Sequence, residues 1–145
     1  MKGGGGLATA RRGFAREISS LGEIFEFMEE FVEGHEIDER TAFCIHLVVE
    51  ELFTNMVRHN RGGGDQIVIG VDRDDGRLNL ELIDTNVEPF DPKTVSAVPV
   101  TAEIGDRSAG GLGIHLVRSL VDDLQYNYRT DDRRMHISVV KNLET

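Results

Sequence analysis

Glu51 and Asn55 stand four residues apart in the stretch DERTAFCIHLVVEELFTNMVRHN, residues 38–60, and His59 follows four residues later. If this stretch is a helix, the three fall within an arc of roughly 80°, because each residue advances ~100°. The pairing of an acid with an amide suggests a particular chemistry. An amide carbonyl can ligate a divalent cation without adding negative charge. A carboxylate one turn earlier can orient or deprotonate an attacking hydroxyl or water. The same pattern also describes a helix edge whose polar groups pair with their neighbours.

Two further groups could join such a site. Gly110-Gly111-Leu112-Gly113 precedes an apolar periodic run. Glycines at a helix start let backbone approach phosphate oxygens, and the first turn offers free N–H donors; a plain flexible junction reads the same way. Asp84 closes an alternating apolar run, where a carboxylate can accept the exocyclic amine of a purine or simply start a turn. Neither a dinucleotide-binding fingerprint nor a G-x-x-x-x-G-K-[ST] phosphate loop is present. His46, His115 and His136 share no ligand spacing with His59, and no Ser/His/Asp pattern supports a nucleophilic triad.

The elements that must position these residues follow from periodicity. Residues 38–60 contain no Pro or Gly; Asp38 is a natural cap, and Glu39 suits the positive end of the helix dipole. Cys44, Ile45, Val48, Val49, Leu52 and Met56 make an apolar stripe, with Glu51 and Asn55 overlapping its edge beside Val48 and Leu52. A polar pair half inside a core-facing stripe is costly unless something binds it. Upstream, Ser20-x-x-Glu23 has the capping-box pattern, and Leu21, Ile24, Phe25, Met28, Phe31 and Val32 recur at helical spacing up to Gly34. A short first strand is expected at 13–18, after a Gly-rich disordered start at 1–12. Strands are expected at 66–72 and 77–84 around an Asp74-Asp75-Gly76 turn. Ile114, Leu116, Val117, Leu120, Val121 and Leu124 mark a third helix, and 126–130 with 135–140 a closing hairpin. Between Thr85 and Ala109 lie all three prolines and no regular pattern, the composition of a functional or mobile loop. Hairpin-joined strands and one-sided helices give an α+β fold, a two-layer α/β sandwich. Its mixed, mostly antiparallel sheet is covered on one face by helices.

The 145 residues suit one domain, spanning 13–145, with a real core. A formal net charge of -10 argues against nucleic acid and against anionic membrane surfaces as partners. No apolar run approaches a membrane span, the start has no secretory core, and the single cysteine, Cys44, excludes an internal disulfide. A cytoplasmic location is the expectation.

Taken together and in order, these segments resemble the histidine-kinase-like ATPase superfamily, shared by sensor histidine kinases, DNA gyrase and anti-sigma-factor serine/threonine kinases. VVEELFTNMVRHN is similar to its N box, Phe90-Asp91-Pro92 to the tail of its first glycine box, and GGLGIHLVRSLVDDLQYNY to its second. The anti-sigma kinase subgroup is similar in length and covers residues from about 13 to 142. The resemblance implies a Bergerat ATP-binding fold with ATP and Mg2+ as cofactors. It implies that Asn55 holds magnesium, that Glu51 is the catalytic base activating a serine or threonine hydroxyl, and that Asp84 reads adenine. Gly110, Gly111, Leu112 and Gly113 would line the triphosphate, with Arg58, His59 and Arg107 near phosphates. The family's Asp-x-Gly is here Asp84-Thr85-Asn86, and the spacing to Phe90 is one residue longer. Asn86 would take the glycine's left-handed place. The implied partners are an anti-sigma-factor antagonist as substrate, a sigma factor, and a second copy in a homodimer. The altered glycine box also motivates a second reading, a non-catalytic partner-binding module of the same fold with weak or lost ATP binding. A third is a piece of a larger sensor kinase.

Overall fold

The computed structural model describes residues 8–59, 63–87 and 111–143. Strand β1 (Ala8–Ala15) leads through a 3-10 turn at Ile18–Ser20 into helix α1 (Leu21–Gly34) and then helix α2 (Glu39–His59). Strands β2 (Gln66–Asp74) and β3 (Arg77–Asp84) follow, then helix α3 (Gly111–Leu120), β4 (Asp123–Arg129) and β5 (Arg134–Asn142). The five strands form one sheet in the order β1-β2-β3-β5-β4. Every pairing among them is antiparallel.

Alternation sets the two faces of this sheet. Across the central strands the rows Ile69–Leu82–Ile137 and Val71–Leu80–Val139 lie opposite one another and are all buried. They meet the apolar stripe of α2, in which Cys44, Ile45, Val48, Val49, Leu52 and Met56 are all buried, as is Phe53. From α1, Ile24, Phe27, Met28, Phe31 and Val32 join the same core. The other face is polar. Asn79 donates to Asp72 (2.9 Å), and Glu81 bridges Arg11 on β1 and His136 on β5. Arg11 reaches Glu81 across β2 because Gly70 lies between them; a Cβ there would meet Glu81 Oε2 at 2.8 Å.

Three expectations change. The first strand lies at Ala8–Ala15, not 13–18, and pairs residue for residue with β2, so 8–12 are part of the sheet. Its Ala-Thr-Ala-Arg-Arg composition hides the alternation that marks the other strands. The third helix stops at Leu120, and Leu124 instead pairs with Val139 in the closing hairpin. Val121 and Leu124 suit either period, and Asp122-Asp123 in a last turn opposes the helix dipole. The capping box does not form. Ser20 has αR backbone at the end of the 3-10 turn, and its hydroxyl donates to the Ala15 carbonyl at 2.7 Å.

Helix α2 is capped as expected: the Thr41 N–H donates to Asp38 Oδ2 at 3.0 Å. Hydrogen bonds from Thr41 hold the Asp38 carboxyl below its usual range. The folded state therefore binds this proton less tightly than the unfolded chain. The resulting stability is present above the unfolded pKa, near 4, and is lost as pH falls through the lower folded value. Asp38→Ala is expected to cost about 1 kcal/mol at pH 7, and urea titrations should show that difference shrinking toward pH 3.

Candidate functional site

Helix α2 is the rigid element that presents Glu51 and Asn55. Both are half-buried, flanked by the fully buried Val48 and Leu52. Asn55 Nδ2 is buried without a hydrogen-bond partner among the described residues. An amide nitrogen shut away from water and left unpaired is destabilising by itself, and a ligand oxygen would satisfy it. Turned the other way, the same amide presents its carbonyl to a cation. Glu51 has no hydrogen bond or ion pair among the described residues. No described group competes for its carboxylate. Arg58, one turn beyond, is exposed, and His59 is the last residue of the helix.

Asp84 reaches the same place from the sheet. Strand alternation puts it on the core-facing side, in one row with Leu78, Leu80 and Leu82, opposite Ile67 and Met135. It is fully buried. A carboxylate there demands a countercharge, and Arg16, just past β1, supplies one: its Nη2 pairs with Asp84 Oδ1. The same guanidinium donates from Nη1 to the Met56 carbonyl (3.2 Å) and from Nε to the Gly64 carbonyl (3.0 Å). Arg16 thus ties the α2 turn holding Asn55 to the end of β3. Asp84 is thereby joined through one guanidinium to the Met56 carbonyl, the next residue after Asn55. Arg16 itself was missed. The signal that could have found it is the inward phase of Asp84, which requires a buried cation.

The backbone around this junction is specialised. Gly63 has φ 87°, and a Cβ there would collide with the Arg16 guanidinium. Its N–H donates to the Asn86 carbonyl at 2.8 Å. Asn86 has φ 57°, the left-handed conformation that glycine takes without strain and asparagine tolerates. Val87 is buried and held by the Arg133 carbonyl (2.8 Å) and by the Tyr128 hydroxyl, which donates to its carbonyl at 2.6 Å. Chain exit from β3 is therefore anchored on both sides.

Gly111, Leu112 and Gly113 form the first turn of α3, so the glycine run does open a helix. Gly110 and Arg107 lie outside the described residues, as does Phe90-Asp91-Pro92. At its other end α3 is fixed to α2: the Cys44 thiol donates to the Leu120 carbonyl at 3.4 Å. Burial pushes that thiol's pKa up, which leaves it a packing group and not a nucleophile. A separate groove of about 360 Å³ lies between α1 and α2, lined by Phe25, Glu26, Glu29 and His46. His46 is on the opposite side of α2 from Asn55, nine residues and about 180° away. Among the described residues no cluster of His, Cys, Asp and Glu has metal-binding geometry, and no helix is long and apolar enough to cross a membrane.

The sequence identifies the family. The histidine kinase-like ATPase domain matches residues 14–141. The chain belongs to this family. Solved structures agree on the fold. The RsbU and RsbW domains of a Mycobacterium tuberculosis protein superpose with a TM-score of 0.68 at 14% identity, over 94% of this chain. The chain spans only 32% of that longer one. The Pseudomonas aeruginosa SiaB–SiaC complex contains a chain with a TM-score of 0.55 at 15% identity, covering 91% of this chain and 88% of that one. No curated protein matches. Membership in the histidine kinase-like ATPase family implies nucleotide binding. The open Asn55 amide fits a magnesium nucleotide. Asp84 fits in position, but its Oδ1 is already engaged by Arg16.

Proposed function

We propose that this chain is an ATP-dependent serine/threonine protein kinase of the anti-sigma-factor type. Its substrate would be a small antagonist protein in a bacterial partner-switching pathway. The observation that supports the reading is the pair on α2: Glu51, with no partner among the described residues, and Asn55, whose buried amide nitrogen is unsatisfied among them. Magnesium, when bound with ATP, neutralises charge developing on the transferred phosphoryl group. Asn55 would ligate it through the amide carbonyl. Glu51 would accept the proton of the substrate hydroxyl and aim it at the terminal phosphate. Asp84 would accept the exocyclic amine of adenine, with Asn86 shaping the turn behind it. The backbone N–H groups of Gly111, Leu112 and Gly113 would meet phosphate oxygens, with Gly110, Arg58, His59 and Arg107 as further phosphate contacts. A sigma factor as second partner, a homodimer and a cytoplasmic setting belong to the same reading.

Calorimetry with Mg-ATP and Mg-ADP, followed by labelled-phosphate transfer to the antagonist encoded nearby, tests it. Asn55→Ala is expected to weaken Mg-ATP at least tenfold while leaving metal-free nucleotide binding less affected. Equal loss with and without magnesium would remove the metal-ligand role. Absence of transfer to the antagonist by folded, nucleotide-bound protein would remove the kinase claim.

One observation favours a second reading, a partner-binding module of the same fold without phosphotransfer. Asp84, the carboxylate that adenine would need, is fully buried and already paired through Oδ1 with Arg16. Failure of folded protein to bind either nucleotide in the same calorimetry selects this version.

A further inference from the structure

We propose that the outer edge of β4 is a homodimer surface, on which two copies pair antiparallel about a two-fold axis at Tyr126 and join their sheets into one. The inference deepens the homodimer named above and needs neither nucleotide nor phosphotransfer. β4 ends the strand order β1-β2-β3-β5-β4, and no described strand pairs with its outer side. An edge strand presents a row of unpaired N–H and C=O groups, and folds commonly blunt it with cationic residues, Pro or a bulge. β1, the opposite edge, carries the adjacent Arg11 and Arg12 beside Gly13. β4, Asp123-Leu124-Gln125-Tyr126-Asn127-Tyr128-Arg129, has no Pro, Lys or Gly, and its register with β5 runs unbroken from end to end.

The strand is complementary to itself. Paired about Tyr126, Asp123 of one copy lies opposite Arg129 of the other, once at each end, and Gln125 lies opposite Asn127. These four residues are exposed, in the rows that also carry Ser138 and His136 on the polar face. On the core-facing side Leu124, Tyr126 and Tyr128 lie opposite the buried Val139, Ile137 and Met135 but are themselves only partly buried. Pairing sets Leu124 opposite Tyr128 and Tyr126 opposite its own copy, which extends the apolar layer across the axis and adds aromatic cross-strand contacts. Burial pushes the Tyr126 hydroxyl up to about 12, so this centre carries no charge at neutral pH.

The neighbouring registers that keep both core faces on one side are worse. A centre at Asn127 sets Asp123 against Asp131, and one at Gln125 leaves Arg129 opposite Val121. Asp123 and Arg129 also make local contacts, with Gln125 (3.1 Å) and Asp132 (2.9 Å), but these are exposed and exchange at little cost. With one acid and one base, β4 is itself neutral in a chain of net charge -10. Seven residues of edge fall short of a standard interface of ~1,600 Å², so the dimer is expected to be weak and concentration-dependent.

The experiment is a charge exchange read by sedimentation velocity and light scattering from about 1 to 300 µM. It compares wild type, Asp123→Arg, Arg129→Asp, the double variant, and an equimolar mixture of the two single variants, with folding checked by circular dichroism and thermal melts. Each single variant sets like charges against each other at both ends and should dimerise roughly tenfold or more weakly than wild type. The double variant restores both pairs and should return to within about threefold. The mixture should form heterodimers, because one chain then supplies both cations and the other both anions. Amide exchange along β4, and not along β1, should slow as wild-type concentration rises. A dimer insensitive to the charge changes, or one without that protection, overturns this surface and leaves the homodimer standing. A wild-type monomer throughout overturns both and leaves the edge to an extended segment of another protein. Mg-ATP calorimetry and phosphotransfer on the same samples judge the kinase reading separately.

Discussion

Asp84→Ala is expected to destabilise the protein by about 3–5 kcal/mol with no nucleotide present, although the residue is proposed for ligand recognition. That is the scale on which removing one partner from a buried ion pair acts, because the remaining charge keeps its desolvation cost and loses its compensation. The geometry meets that condition. Asp84 is fully buried on the core face of β3, and Arg16 is drawn in with it. Urea denaturation at pH 7 with an unchanged m-value is the measurement. Replacing both partners by apolar residues, Arg16→Met with Asp84→Leu, should recover most of the loss, since a packed apolar pair is often as stable as the ion pair it replaces. The two single changes and the double change form a cycle whose coupling should exceed 1 kcal/mol. A loss below about 1 kcal/mol in Asp84→Ala would mean that the pair is screened like a surface one, and the argument that Arg16 is locked into the pocket would go with it. The prediction also separates structure from recognition: the double variant should be stable and still fail to bind ATP.

The legibility of this fold tracked the strength of local periodicity. Helix α2 was readable almost to the residue, because an uninterrupted run with one apolar stripe and an Asp cap has few alternatives. The β2–β3 hairpin was readable for the same reason, with Leu78, Leu80 and Leu82 alternating against Asn79 and Glu81. Strand β1 was not, since Ala8–Ala15 opens on small residues followed by two adjacent arginines, with no apolar alternation, and its inclusion depends on pairing with β2. The end of α3 was misjudged because Leu124 fits the helical period as well as the strand's.

The site divides along the same line. Glu51, Asn55 and Asp84 stood out because each breaks an apolar pattern, and that kind of exception is visible in one dimension. The glycine run at the head of α3 was readable from backbone preference, and the left-handed Asn86 only through the family's glycine box whose glycine it replaces. Arg16 was invisible for the opposite reason. It interrupts nothing in its own segment, and its role arises from three groups that meet only after folding: the Met56 and Gly64 carbonyls and the Asp84 carboxylate. Buried ion pairs of this kind are long-range by nature, and only the demand made by one partner can be read locally.

Glu51→Gln should leave Mg-ATP affinity within about threefold of wild type and lower phosphotransfer to the antagonist by roughly 100- to 10,000-fold, the usual contribution of a positioned general base. The substitution keeps the size and polarity of a half-buried side chain on a helix already fixed by Val48 and Leu52, so the fold has no reason to respond. What it removes is basicity: a neutral amide cannot take the hydroxyl proton. The prediction depends on Glu51 being free, which the structure supports, since no described group pairs with it. Were it anchored by a salt bridge, the same change would be expected to act through stability instead. Binding, melting temperature and single-turnover transfer measured on one preparation separate these outcomes. Unchanged transfer would strip Glu51 of the base role. Loss of binding together with transfer would make it a nucleotide-positioning residue. Loss of transfer alone, beside an Asn55→Ala protein that loses magnesium-dependent binding, would assign the acid and the amide of α2 to separate steps. The base would act on the protein substrate and the amide on the metal, with one helical turn setting the distance between them.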